Sequence, residues 1–135
     1  MHLIYVLIRT VWTLPTTAVG LVLALIGTPW GVRWRVRAGA LECYGGPVSW
    51  LLEHATLLAG GALAITFGDV ILGRSAAALD MCRTHEHVHV RQAHAWGPLF
   101  IPAYVLASLW AGLRGRDLYR DNPFERAAYR VSEGR

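Results

Sequence analysis

His85, Glu86 and His89 stand in the order H-E-x-x-H inside the stretch "THEHVHVRQAHAW", Thr84 to Trp96. Residues four apart on a helix share a face, so His85 and His89 can turn their ring nitrogens onto one metal ion. Glu86, one position on, is badly aimed to join them as a ligand. It is still near enough to act as general base toward a water on that metal. The chemistry such a set performs is metal-assisted hydrolysis. The competing reading is a solvated polar helix that happens to be rich in histidine.

A catalytic zinc site uses three protein ligands and keeps one position open. His87 and His94 lie seven apart, on a different face from the metal pair, and read as surface or interface histidines. The extended metzincin pattern needs Gly where this chain has Gln92 and His where it has Ala95, which excludes that subclass. Gln92, three beyond His89, stays near the metal face and suits a supporting or substrate-binding role. The acids downstream are Asp117, Asp121, Glu125 and Glu133. Glu125 suits a third ligand best. It falls in the first turn of a helix with Asn122 as N-cap and Pro123 at its first position, and the small Ala127 and Ala128 permit close helix approach. Its alternative role is a charge favouring the helix dipole.

The elements that must position these residues can be read in outline. Ser75 to Ala95 is a helix that stops at Gly97-Pro98. "VRWRVRAGALECY", Val32 to Tyr44, reads as two short strands about an Ala38-Gly39 turn, and Pro47 to Leu58 has helical spacing. Leu63 to Gly73 is β-rich, with Gly68-Asp69 at its centre. The chain is therefore α+β.

Of its 135 residues, 54% are hydrophobic and 16% charged, with a mean hydropathy of +0.35. That apolar excess exceeds what a small core can bury and points to a membrane. Leu3 to Ile26 supplies roughly two dozen residues, about 36 Å of helix, enough for a tilted span. Pro15 kinks such a helix without excluding it, and Arg9 can snorkel from one end. A cleaved signal peptide fits less well, because no charge precedes the apolar run and Ala38-Gly39-Ala40 lies far beyond it. Residues 1–28 thus read as a membrane anchor and 29–135 as the domain. Arg33, Arg35 and Arg37 after the anchor put that domain on the cytoplasmic side.

After Pro102, "AYVLASLWAGL" reads as about ten helical residues, roughly 15 Å, too short to span. It should be a buried or half-submerged helix that turns the chain back. Arg83 and Arg91 beside the histidines place the site at the water's edge. The net charge of +4 rests on arginine alone, scattered and without an aromatic platform, which argues against nucleic acid. Cys43 and Cys82 form no CxxC and are too few for a Cys₄ cluster.

"HEHVHVRQAHAWGPLFIPAY" followed by "NPFERAA" resembles small bacterial membrane-associated zincin-like proteins, with an HExxHxxQ helix, a G-P-[apolar]-P-A-Y segment and N-P-x-E-x-x-A. It is also similar to gluzincin metallopeptidases, whose third zinc ligand is a Glu on a later helix. The resemblance covers about Ala64 to Tyr129. It implies a zincin-like domain, with short β-segments packed on the HExxH helix and a C-terminal ligand helix. His85, His89 and Glu125 would hold one Zn²⁺, and Glu86 would be the base. Gln92, Asn122 and Tyr129 would support the site or the substrate, and Tyr129, Tyr119 or Arg126 would help hold an oxyanion.

The expected function is a zinc-dependent metallohydrolase, a peptidase acting on a peptide or protein, carried by a single-pass anchor in the bacterial inner membrane. The alternatives are a non-catalytic zinc-stabilised module that recruits a protein partner, and a redox or sensing protein using Fe²⁺ or another ion.

Overall fold

The computed structural model describes residues 1–56 and 58–134. The elements run α1 (His2–Gly27), a 3₁₀ turn (Thr28–Trp30), β1 (Arg33–Arg37), β2 (Ala40–Tyr44), α2 (Gly46–His54), β3 (Ala64–Phe67) and β4 (Val70–Gly73). Then follow α3 (Ala76–Trp96), a second 3₁₀ turn (Gly97–Leu99), α4 (Phe100–Leu113) and α5 (Pro123–Ser132). The architecture is α+β.

β1 and β2 form a hairpin whose turn residues, Ala38 (φ +50°) and Gly39 (φ +82°), are both left-handed, the geometry that matches strand twist in a two-residue loop. β3 and β4 form a second hairpin about Gly68 and Asp69. The two hairpins join through a parallel β2–β4 pair, giving the order β1-β2-β4-β3. Every residue of β4 is buried, because both faces of the sheet are covered. Val70 and Leu72 pack with Ala24, Val48 and Leu52 toward α1 and α2. Ile71 alternates to the other face, against Leu79 and Val90 of α3.

α1 presents a stripe of small residues to the domain: Thr13, Thr16, Gly20, Ala24 and Gly27 are its buried positions. A Cβ on Gly20 would stand 2.9 Å from Phe67 Cβ and 3.0 Å from Val70 Cβ, so only glycine lets this helix approach the hairpin so closely. Its outward side chains, among them Ile8, Val11, Val22 and Ile26, are exposed. Among the described residues two helical runs, His2–Trp30 and Ala76–Leu113, are long and apolar enough to cross a membrane by length and composition.

Two polar clusters fix α3. Glu42, fully buried on β2, pairs with Arg35 at 2.7 Å and Arg83 at 2.9 Å, and Asp80 receives both guanidinium groups. Arg35, counted above among the charges flanking the anchor, is thus folded into the domain. At the far end of α3, His94 Nε2 lies 2.6 Å from Asp69 Oδ1, while Thr13 of α1 donates to Asp69 Oδ2 at 3.0 Å. The β3–β4 turn therefore ties α1 to α3. His94, expected at a surface or interface, is half-buried in that tie.

α3 is capped by the Ser75 hydroxyl, which accepts from the Ala78 amide at 3.1 Å. It ends at Gly97 (φ +55°), where a Cβ would run into the Trp12 ring. α4 starts at Phe100 rather than after Pro102 and is 14 residues long, not about ten. Pro102 falls in its first turn, where an amide N–H has no intrahelical partner to lose. α2 stops at His54; its expected extension to Leu58 takes in position 57, outside the described residues.

Candidate metal centre

α3 contributes His85 and His89 from one face, and α5 contributes Glu125 from its first turn. α5 starts where the sequence indicates: the Asn122 side chain accepts from the Phe124 amide at 2.9 Å, and Pro123 follows. Asn122 Nδ2 also donates to the Tyr104 carbonyl at 3.0 Å and to Ser108 Oγ at 2.8 Å. These bonds clamp α5 to α4 and deliver Glu125 to the histidines; Asn122 itself is a clamp rather than a cleft residue.

His85 Nε2 lies 2.9 Å from Glu125 Oε2, and His89 Nε2 lies 3.2 Å from Glu125 Oε1. The two Nε2 atoms are 3.2 Å apart, and all three side chains are buried. Three corners of a tetrahedron with metal–ligand bonds near 2.05 Å are about 3.3 Å apart. The triangle is close to that size, so the set could hold one metal ion. The same distances describe two imidazole–carboxylate ion pairs, so geometry alone does not name the cation.

Gln92 decides which His89 nitrogen faces the site. Its Nε2 donates to the Phe124 carbonyl at 3.0 Å, which leaves Oε1 to face His89 Nδ1 at 2.8 Å. A carbonyl oxygen there requires the proton on Nδ1. Neutral His89 therefore turns a bare Nε2 lone pair on a carboxylate, two acceptors in contact. A cation between them, whether a proton or a metal ion, resolves the conflict. Burial alone would lower the His89 pKa, but the Glu125 hydrogen bond and charge overcome this and hold it above its ordinary value. Burial would likewise raise Glu125, yet hydrogen bonds from His85 and His89 and from Tyr104 hold it down to about 2.

Glu86 is buried beside the triad and accepts from the Thr66 hydroxyl of β3 at 2.7 Å. Burial raises its carboxyl above the usual range, only partly offset by His89, Thr66 and His85. A carboxylate so raised is a stronger proton acceptor. A cleft of about 290 Å³ opens onto Glu86, His89 and Glu125. Its walls are Ile65 and Phe67 of β3, and Ile101, Tyr104 and Val105 of α4.

Tyr129, one turn beyond Glu125, stands edge-on to His85 with ring centroids 4.6 Å apart, and its hydroxyl meets Tyr119 at 3.4 Å. It braces a histidine and does not line the cleft, whereas Tyr119 does. Arg126 points outward and is exposed. His87 leaves the triad for the other side of α3, near Glu42, Arg83 and Arg91; burial lowers its pKa, and its buried Nε2 has no hydrogen-bond partner among the described residues. Cys43 and Cys82 are free thiols, the first buried with its pKa pushed up to about 11 by burial.

Residue spacing alone missed two contributors. The Tyr104 hydroxyl donates to Glu125 Oε1 at 2.6 Å, and Thr66 orients Glu86. Tyr104 lies inside the "GPLFIPAY" segment, the one signal that could have singled it out. Comparison of the chain with family models, curated proteins and solved structures returns no match.

Proposed function

We propose that this protein is a membrane-anchored, zinc-dependent metallohydrolase of zincin-like type, acting on peptide bonds. The supporting observation is the His89 tautomer fixed by Gln92, which aims a lone pair at the same point as His85 and Glu125. His85, His89 and Glu125 would hold the ion, and zinc fits a borderline nitrogen and oxygen donor set. Zinc held there supplies Lewis acidity toward water and toward a substrate carbonyl.

The chain's own residues supply the rest. Glu86, raised by burial and oriented by Thr66, accepts the water's proton and passes it to the leaving amine. Tyr119 lines the cleft and would bring a hydroxyl toward the acyl oxygen as it gathers charge, while the Tyr104 hydroxyl stays on Glu125. α1 anchors the chain in a bacterial inner membrane. Asp80, Arg83 and Arg91 keep α3 at the cytoplasmic water's edge.

A second reading has an observation behind it. The triad also welds α5 onto α3, which suits a structural zinc in a module that recruits a protein partner. Metal content by mass spectrometry, with peptide-library hydrolysis, separates the two in detergent-purified protein. About one zinc per chain is expected in wild type and in Glu86→Gln, with loss in His89→Ala and Glu125→Gln. Hydrolysis abolished in metal-loaded Glu86→Gln supports the enzyme. A phenotype indifferent to Glu86→Gln leaves the structural module. Well-folded wild type without metal sinks both readings.

A further inference from the structure

We infer that α4 is a second bilayer-contacting element, dipping its outward face into lipid beside α1, so that one wall of the metal cleft is a single lipid-contacting helix. The inference rests on reading α1 as an anchor. The polarity of α4 is the reverse of that of a helix on a water-soluble protein. Its inward face holds its polar side chains: Tyr104 bonds Glu125, and Ser108 receives Asn122. Its outward face carries Leu106, Leu109, Trp110 and Leu113, exposed by 66, 54, 59 and 83%. These recur at helical spacing and form one stripe. Within α4 no charged residue lies among them.

Continuity with α1 argues for the same solvent. Trp12 of α1 packs over Gly97 in the turn just before α4, and its sequence neighbours Val11 and Leu14 are exposed. α1 shows the same reversal, with Thr13 and Thr16 facing the domain and Ile8 and Val11 facing out. The far end of α4 has the markings of a membrane–water boundary. The Arg114 guanidinium sits over the Trp110 ring at 4.7 Å, and exposed Arg116 and Arg120 follow. With Asp117 and Asp121 among them the segment keeps a small net positive charge, which suits anionic head groups.

α4 does not cross. Its 14 residues make about 21 Å of helix against a hydrocarbon thickness of about 30 Å. The chain must also return to place Asn122 against Tyr104 and Glu125 against His85.

The test uses the full chain in vesicles of phosphatidylcholine and phosphatidylglycerol, with Cys43→Ala and Cys82→Ala as background. Spin labels go on single cysteines at Leu106→Cys and Leu109→Cys, with Leu25→Cys on α1 and Met81→Cys on α3 as references. Only variants that keep the wild-type metal content are read. Collision with oxygen is compared with collision with a water-soluble nickel chelate. Labels at 106, 109 and 25 should favour oxygen several-fold more than the label at 81. Nickel access at 106 and 109 with lipid character kept at 25 overturns the role of α4 alone. Nickel access at 25 as well removes the anchor. Protection of 106 and 109 from both reagents means a second copy covers α4, which also overturns the inference. As a label-free check, brominated acyl chains should quench less fluorescence in Trp110→Phe than in wild type; equal quenching counts against lipid contact.

Discussion

The Tyr104 hydroxyl reaches Glu125 Oε1 at 2.6 Å, while Glu125 Oε2 faces His85 at 2.9 Å. One carboxylate is thus held from α4 through Oε1, which also faces His89 at 3.2 Å, and is offered to His85 through Oε2. Removing the phenol leaves the carboxylate free to rotate and takes one hydrogen bond from an ionised group. Tyr104→Phe should weaken metal binding by roughly 10- to 100-fold while the fold persists. Competition against a chelating indicator measures it. Unchanged affinity would show that Tyr104 packs without orienting.

Metal uptake should depend on pH through His89. Its pKa is raised, so its contribution to the stability of the metal-free protein is fully present below the ordinary imidazole value of about 6.5. That contribution is lost as pH rises through the elevated value. A metal needs the deprotonated ring and gains over the same interval. The rise in Tm on adding zinc should therefore grow as pH climbs from about 6.5. A constant increment across that interval would mean that no His89 proton is displaced.

Much of this site could be read from residue types and spacing. The H-E-x-x-H pair fixes a shared face, Asn122 caps the helix it precedes, and the Ala38-Gly39 turn closes its hairpin. All of these are local effects, set by neighbours within a turn or two. The parallel β2–β4 pairing was not legible, since nothing near Leu41 specifies Val70 as its partner. Nor was the Asp69 tie, in which a turn residue meets helices 25 and 56 positions away in sequence. Tyr104 escaped for the same reason: its partner lies 21 residues on, across a loop.

Glu42 tests the polar box. Glu42→Gln leaves Arg35 and Arg83 facing an uncharged amide. The loss should be about 3 kcal/mol, at the low end for a broken buried pair because both guanidinium groups keep some contact with water. Burial alone would raise this carboxyl, but Arg83 and Arg35 hold it below the usual range. Its stabilisation is therefore present above the ordinary carboxylate value of about 4.3 and fades as pH falls through the depressed one. Denaturant titrations of wild type and variant should converge in acid. A gap independent of pH would assign the loss to packing.

Gly97→Ala should destabilise by more than about 1 kcal/mol, because φ is +55° and the new methyl group meets the Trp12 ring. Adding Trp12→Ala should recover part of the loss, giving a coupling energy above about 0.5 kcal/mol in a double-mutant cycle. Strict additivity would place the strain in the backbone alone.

The central parallel pair also sets an order of assembly. β2 leaves its hairpin with one edge open and must wait through α2 and β3 for β4, so the sheet closes by a non-local contact that costs loop entropy. Glu125 comes later still, 40 residues after His85. As the chain emerges during synthesis, α1 and the histidine pair exist before their carboxylate does. On the proposed reading the ion would be captured last, by a chain whose first helix and sheet are already in place. Metal supply would then act on the final step of folding rather than on the placement of α1.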